Sequence, residues 1–391
     1  MTAIRDLFSK NLRQSGILVA FVVILLVFAL LTDGKLLQSG NISNLVLQYS
    51  YILILAIGML FVIVVGHIDL SVGSVVALVG AVAATLIIRN GMPWWVGVLA
   101  GLATGLVIGA WHGIWVAYVG IPGFIVTLSG MLLFRGMTFL VLNSLSLSPM
   151  TPEYQRIANG FLNGLLGGYG FDVFTLLIGA LAVVGYGVSQ WRARAAKIRY
   201  DQAVESLALF IVKLAVVAAV VMYFAWKLAT ARGFPIVLII LAVLILVYSF
   251  VSKNTIYGRH VFAIGGNLNA AMLSGVKVKR TIFWVYVNMG LLAGVAGVVF
   301  SSRTNGAQPA AGNMFELDAI AACFIGGAAV TGGVGTVVGA MIGGLVMAVM
   351  SNGMQLMGAT TATQQIVKGL VLLLAVAFDI WNKRRAAVAK A

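Results

Sequence analysis

Charge is scarce in this sequence. Asp, Glu, Lys and Arg make up 9% of it, against about a quarter in a soluble domain. Too few charged residues are present to cover a water-facing surface, so a soluble fold is excluded. Cysteine is nearly absent: Cys323 stands alone within an apolar run, and no disulfide can form within one chain. The three histidines, His67, His112 and His260, are too scattered to suggest a metal site, and no Cys/His ligand spacing exists. No metal and no cofactor are expected. The six prolines fall at or between the apolar runs, which leaves those runs free to be helical. Acidic residues are also few, and the net charge is +15.

Such a charge could suggest nucleic acid, but its distribution argues against that partner. Basic residues cluster at Arg5, Lys10 and Arg13; at Arg192, Arg194, Lys197 and Arg199; at Lys253, Arg259, Lys277, Lys279 and Arg280; and at Lys383, Arg384, Arg385 and Lys390. Each cluster abuts apolar sequence, the pattern of cytoplasmic loops facing a lipid bilayer. Arg5–Arg13 leads into Ile17–Leu31 without a small-residue cleavage site, so the first run reads as a retained span.

Hydrophobic residues make up 61% of the chain. About 20 apolar residues cross a bilayer. On that measure full spans are expected at about 15–32, 45–66, 71–89, 96–118, 124–142, 171–190, 207–228, 235–252, 281–301, 334–352 and 362–380. Asp318–Val330 is too short to cross and reads as a half-span. The expected fold is therefore an all-α, polytopic membrane helix bundle of about 11 full spans plus one half-span, forming a single domain over 1–391. Alternation from a cytoplasmic N-terminus puts both termini and the loops 191–206 and 253–280 inside. The loops 33–44, 90–95, 143–170, 229–234 and 302–317 fall outside, with only Lys35, Arg89, Arg156, Arg232 and Arg303 as basic residues. Tryptophans and tyrosines near span ends form the usual interfacial belt, and Lys213, Lys227 and Lys368 lie where they can snorkel.

Gly66–Ser74 interrupts two apolar runs with two glycines, His67, Asp69, Ser71 and Ser74. An Asp near mid-bilayer costs roughly 2.5–3.5 kcal/mol on insertion scales, so it faces a cavity or a partner. A glycine-broken helix pair lining a solute path fits this stretch. A short polar turn at the cytoplasmic surface fits it as well. A weak echo stands later in the chain, where Ile325–Val338 repeats the pattern of glycines between apolar helices. Arg135, midway along its run, is expected to face the protein interior and pair with a carboxylate or with carbonyls.

Many of the 46 glycines recur every four residues. Gly101, Gly105, Gly109 and Gly113 form one stripe, Gly335, Gly339 and Gly343 a second, and Gly290 and Gly294 a third. Such stripes let helix backbones approach closely in lipid.

No nucleophile triad or dinucleotide fingerprint is present, and Gly333-Val334-Gly335 is not followed by a phosphate-loop Gly-Lys-Ser/Thr. The chain is therefore not expected to be an enzyme or to hydrolyse ATP itself. Within Asn254–Arg280, Asn267 is a good helix N-cap and Gly275 a good stop, which predicts a short helix between them. A helix of about two turns is too short to be stable alone and makes sense when docked.

The run Tyr257-Gly258-Arg259 … Gly265-Gly266-Asn267 … Ala270-Ala271 … Ser274-Gly275-Val276 resembles the coupling loop of bacterial ABC monosaccharide importer permeases, the ribose/xylose/galactoside class. Ile68–Gly73, Phe134-Arg135-Gly136, Ala307–Gly312, Glu316–Ala322, Gly332–Gly335 and Asn352-Gly353-Met354 resemble further motifs of that family in the same order, from about Asn41 to Trp381. The family usually has glycine where His67 stands. The pair of spans around the basic loop Gln190–Ser206 looks like an addition, and this longer form is most similar to D-xylose permeases.

The resemblance implies a homodimer in the bacterial inner membrane, a periplasmic or extracellular sugar-binding protein outside and a cytoplasmic ABC ATPase inside. It implies that Gly258, Arg259, Gly265, Gly266, Asn267, Ala270, Ala271, Ser274 and Gly275 engage that ATPase, with Ala270 and Ala271 permitting close approach. A neutral sugar needs hydrogen-bonding groups along its path, and His67, Asp69, Ser71, Asn288, Glu316, Asp318 and Asn352 are the candidates. Each could instead cap a broken helix or pair with Arg135 or Arg303. A proton-coupled carrier using Asp69 and His67 is the alternative, and a passive channel a third possibility.

Overall fold

The computed structural model of the chain describes residues 12–202 and 204–388. Arg5, Lys10 and Lys390, three of the residues expected at cytoplasmic termini, lie outside them. The apolar runs become helices: α1 Leu12–Leu31, α2 Ser39–Val64, α3 Val72–Ala84, α4 Trp94–Gly113 and α5 Gly123–Leu142. Then follow α6 Pro152–Asn159, α7 Val173–Arg199, α8 Leu207–Ala229, α9 Ile236–Asn254, α10 Ile256–Gly266 and α11 Leu268–Leu273. The last four are α12 Val278–Arg303, α13 Phe315–Ile325, α14 Val337–Leu356 and α15 Thr361–Val388. Among the described residues, nine helices are long and apolar enough to cross a membrane, and Gly16–Leu31 and Thr361–Ala377 are shorter apolar stretches at the two ends. All eleven expected runs are thus helical, nine of them long enough by this measure. The stretch expected as a half-span, Asp318–Val330, falls in part on α13, whose 11 residues extend about 16 Å, while 326–330 lie outside the helix.

The glycine stripes decide which helices meet. A Cβ on Gly105 would overlap the carbonyl of Gly290, and one on Gly290 would overlap that of Gly105. Gly109 lies as close to Tyr286 and Val287. The first and third stripes therefore clasp α4 onto α12. The second presses α14 onto α13, where Gly339 meets the Gly326 carbonyl and Gly343 that of Ala322. Backbone contact of this kind supplies dispersion energy where lipid removes any hydrophobic drive.

Three departures from expectation follow from local chemistry. The basic stretch taken as a loop over 190–206 is mostly helix, because α7 continues to Arg199. Ala, Arg and Lys are strong helix formers, and Lys197 and Arg199 complement the C-terminal dipole. The loop over 143–170 contains α6, started by Pro152 at its first position. Tyr257–Gly266, expected to lead into a single short helix, is itself helical as α10, capped by Thr255 Oγ1 accepting from Gly258 N–H at 3.1 Å.

The additional pair, α7 and α8, packs on itself and touches the body mainly along α2; little of either helix is buried. The body's core is α2, α3, α12 and α14. At one end α6 caps it, with Tyr154 Oη and Ser301 Oγ 2.8 Å apart and Ala158 N–H donating to Ser302 Oγ at 3.0 Å. Strands β1 Phe161–Leu162 and β2 Phe234–Pro235 pair antiparallel beside it. At the other end lie α10 and α11.

Candidate translocation and coupling site

Helix α2 stops at Val64. Gly66, at φ 85°, turns the chain out of it, and residues 67–71 run without helical structure before α3 begins. The break is held from within. Asp69 is buried, and its Oδ1 accepts from Ser71 N–H at 2.8 Å and Ser71 Oγ–H at 2.6 Å. Ser74 Oγ–H then donates to the Ser71 carbonyl at 2.7 Å. Asp69 therefore closes a local turn onto Ser71, the residue that leads into α3. From α5, Thr127 Oγ1 donates to the Ile68 carbonyl at 3.2 Å. His67 is half-buried, its ring 6.0 Å from that of Tyr286.

Both glycine-rich interruptions meet. Gly333 N–H donates to the Val64 carbonyl at 2.8 Å, so the second break closes on the end of the first helix. Gly265, near the end of α10, is wedged between them. A Cβ there would overlap the Val64 carbonyl oxygen and lie 2.5 Å from Gly333 N. A Cβ on Gly333, at φ 73°, would meet Gly266 at 2.7 Å. The echo in sequence is therefore a contact in space, with α10 as its third member. On the far side of the first break, Gly73 and Gly312 press backbone to backbone, and Glu316 Oε2 rests against Gly73. Arg135 Nη1 donates to the carbonyls of Pro309, at 3.2 Å, and Ala311, fixing the loop before α13. Of the two partners expected for Arg135, it takes the carbonyls.

Helix α11 extends over six residues. Asn267 caps it, its Oδ1 accepting from Ala270 N–H at 3.0 Å, and Gly275 at φ 81° ends it. Its outward face is apolar: Leu268 and Met272 are about half exposed, and Leu273 is 91% exposed. Ala270 is also exposed, but Ala271 is 4% exposed and turned into the permease. Ala271 was expected on the docking face beside Ala270. It is instead buried on the α10 side of this short helix, and the apolar side chains exposed on α11 are Leu268, Met272 and Leu273. Gly258 serves the turn, since a Cβ would overlap the carbonyl of Val251. Arg259, Gly266, Ser274 and Gly275 are exposed beside it, and Gly265 is half-buried.

The path candidates do not form one cluster. His67, Asp69, Ser71 and Glu316 gather around the first break. Asn288 Oδ1 accepts from Tyr248 Oη–H. Asn352 and Asn41 exchange side-chain hydrogen bonds at 2.7 and 3.1 Å, joining α14 to the start of α2. Asp318 pairs with neither Arg135 nor Arg303. Its carboxylate takes both contacts from Lys368 Nζ, at 2.9 and 3.0 Å. Lys368 therefore does not snorkel but reaches from α15 to α13. This pair sits in a cleft of about 370 Å³ between α2, α13, α14 and α15, which Gln48, Gln355 and Gln364 also line. Sequence reasoning passed over these glutamines, because nothing in their positions along the chain brings three separate helices to one space.

The chain is similar to known permeases along nearly its whole length. The xylose transport system permease protein of Escherichia coli K12 is 41% identical over 377 residues, 96% of this chain and 94% of that protein. The corresponding protein of Haemophilus influenzae is 41% identical over 96% of this chain and 98% of its own length. The ribose import permease protein of Escherichia coli K12 is 33% identical over 97% of this chain and 98% of that protein. No solved structure matches. Residues 41–376 match the family described as "Branched-chain amino acid transport system / permease component". With that match and nine membrane-length helices, the chain belongs to this permease family as a multi-pass membrane protein.

Proposed function

We infer that this chain is the membrane subunit of an ATP-driven importer for a monosaccharide, D-xylose or a related pentose. The xylose and ribose permeases it is similar to support the sugar class. The observation that carries the mechanism is the junction of Val64, Gly265 and Gly333. A small exposed helix, α11, is joined through α10 to the point where both broken segments touch.

In this account α10 and α11 face the cytoplasm, as the exposed Lys253, Arg259, Lys277, Lys279 and Arg280 favour. Both termini lie on the same side. A separate ABC ATPase grips Leu268, Met272 and Leu273. Its closure moves α10 as a lever, and Gly265 passes the movement to the ends of both breaks, giving alternating access. Interfaces packed backbone to backbone shift between discrete arrangements, so a small displacement at α11 becomes a change of state at the breaks. A second copy of this chain completes the path, and a sugar-binding protein docks at the end capped by α6. Asp69, Ser71 and Glu316 hold the break in shape.

The test is uptake of radiolabelled D-xylose by proteoliposomes holding this chain, its ATPase and its binding protein. With the proton gradient collapsed by an ionophore, ATP inside the ATPase compartment is expected to sustain uptake. Loss of transport under those conditions points to a proton-coupled carrier. Flux without the ATPase points to a channel. Either result overturns the account.

A further inference from the structure

We propose that the cleft between α2, α13, α14 and α15 is a sugar-contact site of the permease itself, holding one neutral monosaccharide on the side away from the coupling helices. The proposal rests on the importer reading above and deepens it.

The cleft lies far from the junction. Gln355 stands 18 residues beyond Val337, where α14 begins beside Gly326, a rise of about 27 Å along the helix. At about 370 Å³ the cleft is at the small end of the roughly 300–1,000 Å³ typical of ligand pockets. A single sugar ring suits it better than a long or branched ligand.

Its chemistry is that of hydroxyl recognition. Gln48, Gln355 and Gln364 come from three different helices and line one space. Each amide carries an acceptor and two donors, the complement of a hydroxyl that both gives and takes a hydrogen bond. Gln48 Nε2–H donates to Gln355 Oε1 at 3.2 Å and Gln364 Nε2–H to the Ala359 carbonyl at 3.0 Å, which together use only part of that capacity. Beside them lies an aromatic floor. Tyr51 and Phe315 both line the cleft, their rings 4.6 Å apart, and Phe300 supports them from behind at 4.9 and 5.1 Å. The C–H face of a sugar ring packs on such a surface while its hydroxyls reach the amides.

The charges in the cleft cancel. Asp318 and Lys368 pair with each other, so the site offers no net charge to attract an ion. Lipid tails would find an unsuitable lining, since burying several amides against hydrocarbon costs free energy. A neutral, polyhydroxylated ligand satisfies the amides, the rings and the balanced pair together.

The chain's own cysteine makes the test clean. Cys323 is fully buried, so a new thiol in the cleft reports alone. Thr361→Cys, a near-isosteric change at a lining position that is not one of the three amides, is placed in the full chain within its ATPase complex in proteoliposomes. Labelling is followed with a neutral, membrane-impermeant thiol reagent, with and without D-xylose. Leu145→Cys, exposed on the loop after α5 and outside the lining, is the control. D-xylose at about four times its dissociation constant is expected to slow labelling of Thr361→Cys about fivefold, by mass action. Leu145→Cys is expected to be unaffected. Equal rates with and without sugar at Thr361→Cys, equal slowing at both positions, or a thiol blocked regardless of sugar by lipid or a second copy each overturn the proposal. Protection without ATP-driven uptake would instead sink the importer reading and leave the site standing. Uptake without protection would do the reverse.

Discussion

The N–H of Gly333 donates to the carbonyl of Val64 at 2.8 Å, with Gly265 packed between their segments. Three glycine-bearing segments from distant parts of the chain thus share one point, and that point has no room for a methyl group. Gly265→Ala should therefore force the junction apart. Overpacking of this kind costs about 1–3 kcal/mol. ATP-driven uptake is expected to fall more than tenfold. The neighbouring Gly266→Ala places its methyl in open space and should keep most of the activity. Comparing the two in one uptake assay, with membrane content measured by immunoblot, separates a junction effect from a general intolerance of α10. Equal activity of both variants would remove the junction from the mechanism.

The second expectation concerns α11. Leu273 is the most exposed apolar side chain of α11. Left bare, it gains nothing; covered by a partner, a leucine contributes about 1.5–3 kcal/mol. Leu273→Asp should leave membrane insertion and the thermal midpoint of the isolated permease unchanged. Affinity for the ATPase should drop at least tenfold, about 1.4 kcal/mol. Titration of detergent-solubilised ATPase against immobilised permease reads this directly. A variant that binds as tightly as wild type would place the docking face elsewhere.

Much of this architecture is legible from residue order alone, and the limits have physical causes. Apolar length marks the helices, because lipid demands that each backbone group be satisfied within its own segment. Glycine spacing marks the α4–α12 and α13–α14 contacts, because close approach leaves a periodic trace. Asn267 and Gly275 mark the ends of α11, because caps are local. The burial of Ala271 is not legible because a six-residue helix has no periodicity to tell its inner face from its outer one. The cleft is invisible because Gln48, Gln355 and Gln364 lie on helices whose neighbours are set by tertiary packing. The Asp318–Lys368 pair is half legible. Two opposite charges inside apolar runs each needed a partner, but nothing in their separation along the chain named the other.

That pair supports a third expectation. Asp318→Asn leaves Lys368 without its counter-charge in a largely buried place. Breaking a buried pair from one side costs about 3–5 kcal/mol, and the partial exposure of both side chains, 15% and 24%, lowers that figure. Asp318→Asn combined with Lys368→Met should recover most of the loss, since no charge is then stranded. Thermal unfolding of wild type, both single variants and the double variant completes the cycle. Additive losses would mean that the two groups do not depend on each other.

The fourth expectation concerns the cap of the additional helix pair. Asp172 starts α7, its Oδ2 accepting from Thr175 N–H at 2.8 Å and Thr175 Oγ1–H at 2.5 Å, while Oδ1 accepts from Gly164 N–H at 2.9 Å. Burial pushes this carboxyl up, but the hydrogen bonds from Thr175 and Gly164 outweigh it and hold the group below its ordinary range. A carboxyl lowered by folding contributes stability that is present in full above its unfolded pKa and is lost as pH falls through its folded value. Asp172→Ala should cost about 1 kcal/mol, the usual worth of a helix cap. The loss should be confined to the start of α7, because that helix touches the body only lightly. Hydrogen exchange at Thr175 to Leu177 should quicken in the variant at neutral pH. In wild type the same amides should lose protection only under acid conditions, below the ordinary carboxylate range, and at that pH wild type and variant should exchange alike. A difference that persists in acid would mean that the ionised carboxylate is not what holds the end of α7.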